Sequence, residues 1–254
     1  MDRSSAICRI RFRRRPGARG GGMIQLRKSG ERGDANHGWL KSKHTFSFAD
    51  YYDEKHMGFG PLRVINEDRI DGGTGFGTHG HRDMEIISYV IEGALQHQDS
   101  MGNKSIIKPG EVQRMSAGTG VRHSEHNDLK DQVTHFLQIW IVPEREGISP
   151  SYGQKSFERD FSGNDMILVA SKAGRSGSIA MNQDVDMYVT KAKSEGAKTL
   201  TTSKHRRLWV QVIKGDVTVG GTKLSTGDGA AIQDVEQLPV QWSKQSEFIL
   251  FDMP

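Results

Sequence analysis

Two short clusters hold the residues of this chain best suited to chemistry: His79 and His81 in THGHR, then His123 and Glu125 in RHSEH. In an extended strand alternate residues point to the same face, so each pair sets two ligating side chains side by side, roughly 6–7 Å apart along the backbone. Two such strands facing one another would bring three imidazoles and one carboxylate to a single point. That donor set suits zinc, iron, nickel, copper or manganese and leaves coordination positions open for a substrate. A structural zinc site would use the same side chains, and with ten histidines in the chain some pairs at this spacing arise by chance. Structural zinc more often recruits cysteine, and the single cysteine, Cys8, is far from both clusters.

The elements that must position these residues read as strands. Residues 62–142 break into short apolar and alternating runs separated by turn signals at Asp71-Gly72-Gly73, Glu92-Gly93, residues 100–105 and Pro109-Gly110. No stretch in this half sustains a helical period, and the strand spacing is that of a sandwich or barrel. Ahead of it, residues 37–53 (HGWLKSKHTFSFADYYD) are dense in aromatics and are expected to cover one end of the following domain. Thirty glycines fit many strands joined by tight turns.

The second half echoes the first. YVIEG at 89–93 recurs as QVIKG at 211–215, and PGEVQRM at 109–115 has a counterpart in TGDGAAI at 226–232. Two matched elements in the same order predict a duplicated β-domain. The positions equivalent to the four candidate ligands become Thr201, Ser203, Val240 and Trp242, a set that cannot replace them. The second lobe is therefore expected to hold no metal and to serve an architectural role. The domain division expected is 1–22 as a disordered arginine-rich extension, 23–145 as the metal-binding lobe and 146–254 as the degenerate lobe.

Composition narrows the rest. The formal net charge is +4, but residues 1–22 hold seven arginines against Asp2, which leaves −2 for residues 23–254. A slightly acidic body gives no electrostatic reason to expect direct nucleic-acid binding. One cysteine excludes an intrachain disulfide and points to a reducing compartment, and no apolar run is long enough for a membrane span. A soluble, monomeric, cytoplasmic protein is expected.

The segments HGWLKSKHTFSFADYY, FGTHGHRDMEIISYV (76–90) and MSAGTGVRHSEHN (115–127) resemble the pirin family of the cupin superfamily, and within it the bacterial pirin-like quercetin 2,3-dioxygenases. The resemblance runs from Met23 to the C-terminus. It implies an all-β bicupin, two small β-barrels in one chain, with one divalent metal held in the N-terminal barrel by His79, His81, His123 and Glu125. Iron is the first expectation, with nickel, cobalt, manganese, copper or zinc as alternatives. In many cupins the carboxylate ligand follows His-x-His by a few residues, which would be Glu85. The pirin pattern points to Glu125, leaving Glu85 to orient a ligand imidazole from behind. The implied substrates are a flavonoid-like aromatic and dioxygen, and the implied reaction cleaves the central ring of a flavonol with release of carbon monoxide, Glu125 acting as general base. The family also admits a metal-containing regulatory protein working through protein partners, with quercetinase activity incidental. Met84, Met115, Phe136 and Trp140 are candidates for the substrate-facing wall, and His97 and His126 for a supporting layer.

Overall fold

The computed structural model describes residues 22–254. Apart from Gly22, the expected disordered extension lies outside the described residues. The described chain is built of strands, with three one-turn 3-10 segments, as the turn-punctuated sequence predicts.

Each half pairs a seven-stranded sheet with a four-stranded one, and the two halves share one topology except at their outermost strands. In the first half the large sheet runs, in spatial order, Ser151–Ser156, Glu111–Ser116, Glu85–Glu92, Thr134–Ile141, Leu62–Ile70, Leu40–His44 and Gly33–Asn36. Its small sheet runs Gly75–His81, Val121–His126, Leu95–Asp99 and Lys104–Ile107. In the second half the large sheet runs Met23–Arg27, Gly229–Gln233, Arg207–Lys214, Glu247–Met253, Asp186–Lys191, Ile167–Lys172 and Ile179–Met181, and the small sheet begins Gly196–Thr201, Gln237–Trp242. The repeated sequence elements occupy equivalent places: Glu85–Glu92 and Arg207–Lys214 are third in their sheets, Glu111–Ser116 and Gly229–Gln233 second. Gly93 and Gly215, which close the repeated pentapeptides, both have φ of +80°, a conformation that L side chains rarely adopt. A Cβ at either would also press on the next strand, at Thr134 or Ser246.

The halves exchange edge strands. Met23–Arg27 pairs with Gly229–Gln233 in the second sheet, and Ser151–Ser156 pairs with Glu111–Ser116 in the first, so two strands cross the 145/146 division. The exchange covers one edge of each large sheet, where bare N–H and C=O groups would otherwise recruit another chain. The outer faces of the two large sheets then pack on one another. Phe46 and Phe59 lie against Trp209, at ring centroid distances of 5.0 and 5.8 Å. One apolar cluster joins these to Tyr89, Ile139, Ile249 and Phe251. Each such buried side chain contributes roughly 1.5–3 kcal/mol. Within the seam Tyr89 Oη donates to Glu247 Oε1 at 2.5 Å, and Glu85 accepts from the Asn182 backbone N–H and side-chain amide, both at 3.2 Å.

The barrel interiors differ. The second is filled by an apolar cluster that includes Val210, Val217, Leu238, Val240, Trp242 and Leu250. Thus Val240 and Trp242 are packing residues, while Thr201 and Ser203 are exposed. The first leaves a cavity between its two sheets.

Candidate metal centre

Gly75–His81 and Val121–His126 pair antiparallel, with His123 opposite His79 and Val121 opposite His81. Pairing resumes at Glu125 opposite Phe76, so Gly77 and Thr78 together face Ser124, an irregularity of the bulge kind that re-aims neighbouring side chains. Gly75 permits the close approach: a Cβ there would stand 2.2 Å from the Glu125 carbonyl oxygen. The ligating atoms of His79, His81 and His123 all lie within 4.8 Å of one another. Glu125 adjoins this group through His123, forming a second such cluster with His123 and His97.

The hydrogen bonds fix which nitrogens face the centre. His79 Nδ1 donates to the Gly77 carbonyl oxygen at 2.8 Å, since that oxygen can only accept, which leaves Nε2 of the neutral ring as a lone pair. His97 Nε2 donates to Asp99 Oδ2 at 3.1 Å, so His97 Nδ1 is an acceptor and takes Gln113 Nε2–H at 3.2 Å. His123 Nδ1 lies 3.4 Å from His97 Nδ1, and the tautomer with its proton there turns the His123 Nε2 lone pair toward His79. The two Nε2 atoms stand 3.0 Å apart. Two lone pairs at that distance repel unless a cation lies between them. Two cis ligands, each about 2.1 Å from one ion, would be about 3.0 Å apart. The donor set therefore fits a divalent transition metal. Burial, reinforced by the other histidines, pushes His123 down to about 3 and His81 down to about 4, so both rings are neutral at physiological pH, the form that can bind a metal.

Glu125 is buried and held from behind. Gln138 Nε2 donates to its Oε2 at 2.8 Å, and Ser88 Oγ lies 3.2 Å from its Oε1 and 3.0 Å from Gln138 Oε1, sharing one hydrogen between them. Beside the histidines opens a cavity of about 230 Å³ lined by Phe48, Phe76, Trp140, His79, His81 and Glu125, among others, with the exposed His37 and Ala49 at its rim. Trp140 meets His81 edge to face at 5.0 Å, and Phe48 meets Trp140 likewise at 5.3 Å. The aromatic-rich segment 37–53 does cap this end, through Phe48 and the hairpin before it.

Iron, nickel or any other ion apart, the family can now be fixed by comparison. Residues 25–141 match the pirin family model, and residues 168–253 match a model described as the quercetinase C-terminal cupin domain. The chain is 50% identical over 232 residues to quercetin 2,3-dioxygenase of Escherichia coli K12, covering 91% of this chain and 99% of that protein. The chain belongs to the pirin family. A pirin-like protein of Caulobacter vibrioides is 40% identical to it, covering 91% of this chain and 99% of the relative. Among solved structures, the bacterial pirin YhhW from Escherichia coli in complex with nickel(II) superposes with a TM-score of 0.87 at 50% identity, covering 91% of this pirin and 99% of that chain.

His79, His81 and His123 lie together, with Glu125 beside His123, in the arrangement their spacing predicts. Glu85 does not reach an imidazole: it is turned into the seam between the halves, where Asn182 holds it. Of the four expected wall residues only Trp140 faces the cavity, whereas Met115 and Phe136 are fully buried in core clusters and Met84 packs beside Met115. His97 supports His123, while His126 has no such contact. Sequence reasoning missed Asp99, Ser88, Gln138, Asn66 and Asp68. A polar side chain at every second position of a strand, as at Asn66 and Asp68, was the one available signal, and it equally describes a solvent face.

Proposed function

We propose that this pirin is a metal-dependent dioxygenase that opens the central ring of flavonols such as quercetin, consuming dioxygen and releasing carbon monoxide. The observation that carries the proposal is the pair of tautomer-fixed histidines whose Nε2 lone pairs converge 3.0 Å apart at the edge of an aromatic-walled cavity. His79, His81, His123 and Glu125 would hold the metal in the lobe formed by the first half of the chain, 23–145 with its borrowed edge strand, and 146–254 would brace it. The metal, when bound, would supply a Lewis acid that gathers the substrate's oxygen atoms and lowers the pKa of the hydroxyl it touches.

The remaining work falls to side chains. Phe48, Phe76 and Trp140 present flat apolar surfaces suited to a planar ring system. Glu125 would take the proton of the flavonol 3-hydroxyl, with Gln138 and Ser88 holding the carboxylate. The hairpin Gly33–His44 and Phe48 shield this end from bulk water. At about 230 Å³ the cavity is smaller than the usual 300–1,000 Å³ of an organic-ligand site. It is open at its rim, so a three-ring substrate would sit with one end inside and the other at the mouth.

Iron is the first metal to test, and nickel the next because the Escherichia coli relative was crystallised with it. With one cysteine and no helix among the described residues long and apolar enough to cross a membrane, the proposed setting is the cytoplasm. Dioxygen uptake and carbon monoxide release with quercetin, measured on protein loaded separately with iron, nickel, cobalt, manganese or copper, test the proposal. Stoichiometric carbon monoxide that disappears in His123→Ala supports it. No turnover with any metal at full site occupancy rejects it.

A further inference from the structure

The inner face of the first large sheet carries a polar row. Ser88, Gln138, Asn66 and His44 are in register across four adjacent strands, and Asp68 and Ser42 form the neighbouring cross-strand pair. All six are buried, on a face that a small β-barrel ordinarily fills with apolar side chains. One end of the row is accounted for, because Gln138 and Ser88 hold Glu125. The other end is not. Asn66 Oδ1 and His44 Nδ1 are buried with no hydrogen-bond partner among the described residues, and so is Trp140 Nε1. All three residues line the cavity beside the histidines, as does Asp68, whose carboxylate takes the Ser42 hydroxyl.

A buried polar atom without a partner costs about 1–3 kcal/mol, and three of them on residues that line one cavity mark a place where the partner comes from outside the chain. Their chemistry restricts that partner. Trp140 Nε1–H can only donate; Asn66 Oδ1 can only accept. A carbonyl would satisfy the first alone and an ammonium the second alone. A hydroxyl group both donates and accepts, and on a flat aromatic ring it would also suit Phe48 and Phe76. We propose that Asn66, His44, Trp140 and Asp68 form a hydroxyl-reading wall, which selects flavonols carrying phenolic hydroxyls away from the edge that meets the metal. This inference rests on the flavonol reading above and adds the part of the substrate that is recognised.

The wall predicts selectivity, and binding measures it without turnover. Nickel-loaded full-length protein would be titrated anaerobically with quercetin and with 3-hydroxyflavone, which keeps the chelating 3-hydroxyl and 4-carbonyl but lacks the other hydroxyls. Wild type should prefer quercetin, and Asn66→Leu should shrink the affinity ratio about tenfold, the effect of losing one well-placed hydrogen bond and leaving the ligand's hydroxyl unpaired. The same variant should melt no lower than wild type, because Asn66 Oδ1 gives up no intramolecular bond. If Asn66→Leu does not fold, Trp140→Phe, which removes the single polar atom Nε1, carries the test. A ratio unchanged within about twofold overturns the wall; the unpaired groups then hold water only. Binding of neither flavonol by wild type rejects the flavonol reading and the wall together, whereas binding of both with equal affinity rejects the wall alone.

Discussion

If His123 holds the metal as proposed, the hydrogen-bonded chain Asp99–His97–His123 should make metal affinity depend on the residues behind it. Burial alone would raise the Asp99 carboxyl, but bonds from His97, from the Asn103 side chain and backbone, and from the Met101 backbone outweigh it and hold the group below the usual carboxylate range. Asp99 is thus an ionised acceptor, which commits His97 to the tautomer that accepts from His123. Replacing His97 by Phe keeps a buried ring but removes the acceptor, and His123 then loses the partner that keeps Nε2 free. Supporting residues of this kind are worth 10–100-fold in metal affinity. The His97–His123 contact is long at 3.4 Å, which places the expectation at the lower end, about tenfold or ~1.4 kcal/mol. Competition between the protein and a chromogenic chelator for nickel gives the constant directly. Asp99 keeps its Asn103 and Met101 bonds in the variant, so the loop it organises should survive, and an unchanged circular dichroism spectrum would show it. His97→Gln, which can still present an acceptor, should recover part of the loss, while His126→Ala, on the same strand as His123, should leave affinity unchanged. An affinity within about threefold of wild type for His97→Phe would refute the chain as a support for the centre.

Three further outcomes follow from buried charge. Burial, with the nearby charge of Glu125, pushes Asp68 up to about 7 against the Ser42 hydrogen bond, so folded protein binds its proton more tightly than unfolded protein does. Wild-type stability from this group is therefore complete below about pH 4 and is lost as pH rises through about 7. Asp68→Asn, which does not titrate, should gain on wild type by up to ~4 kcal/mol across that window in urea unfolding of metal-free protein, and a gap independent of pH would count against it. Glu67 behaves oppositely: burial would raise it, but the His135 hydrogen bond and the Arg32 charge and hydrogen bond bring it down to about 2. Its contribution, up to ~3 kcal/mol above pH 4.5, disappears as pH falls through about 2, so Glu67→Gln should be destabilising at pH 7 and progressively less so in acid. In the seam, Tyr89→Phe removes the donor to a carboxyl that burial raises, and should cost about 1–3 kcal/mol in urea unfolding. A variant as stable as wild type would show that this bond contributes nothing to the seam.

What could be read from sequence, and what could not, divides along physical lines. The histidine pairs were legible because a strand repeats every two residues, so local spacing alone puts His79 beside His81 and His123 beside Glu125. The duplication was legible because tight turns demand glycine, and Gly93 and Gly215 sit in the same left-handed conformation. Neither signal depends on what lies across the sheet. The supports of the site do. Whether Asn66 and Asp68 face solvent or the barrel interior is decided by the hairpin Gly33–His44, which adds two strands beside Leu62–Ile70 and closes over a face that its own sequence would leave polar and open. Glu85 looked like a support because it follows His81 by four residues, but the strand carrying it belongs to the opposite sheet, and only the arrival of Asn182 from the second half gives its carboxylate a partner. The exchange of Met23–Arg27 for Ser151–Ser156 is of the same kind, since no local pattern can report a pairing some two hundred residues distant. It also gives the second lobe an architectural role. Each large sheet is completed at one edge by the other half, so the metal-facing lobe is finished, and its back covered, only when the whole chain has folded.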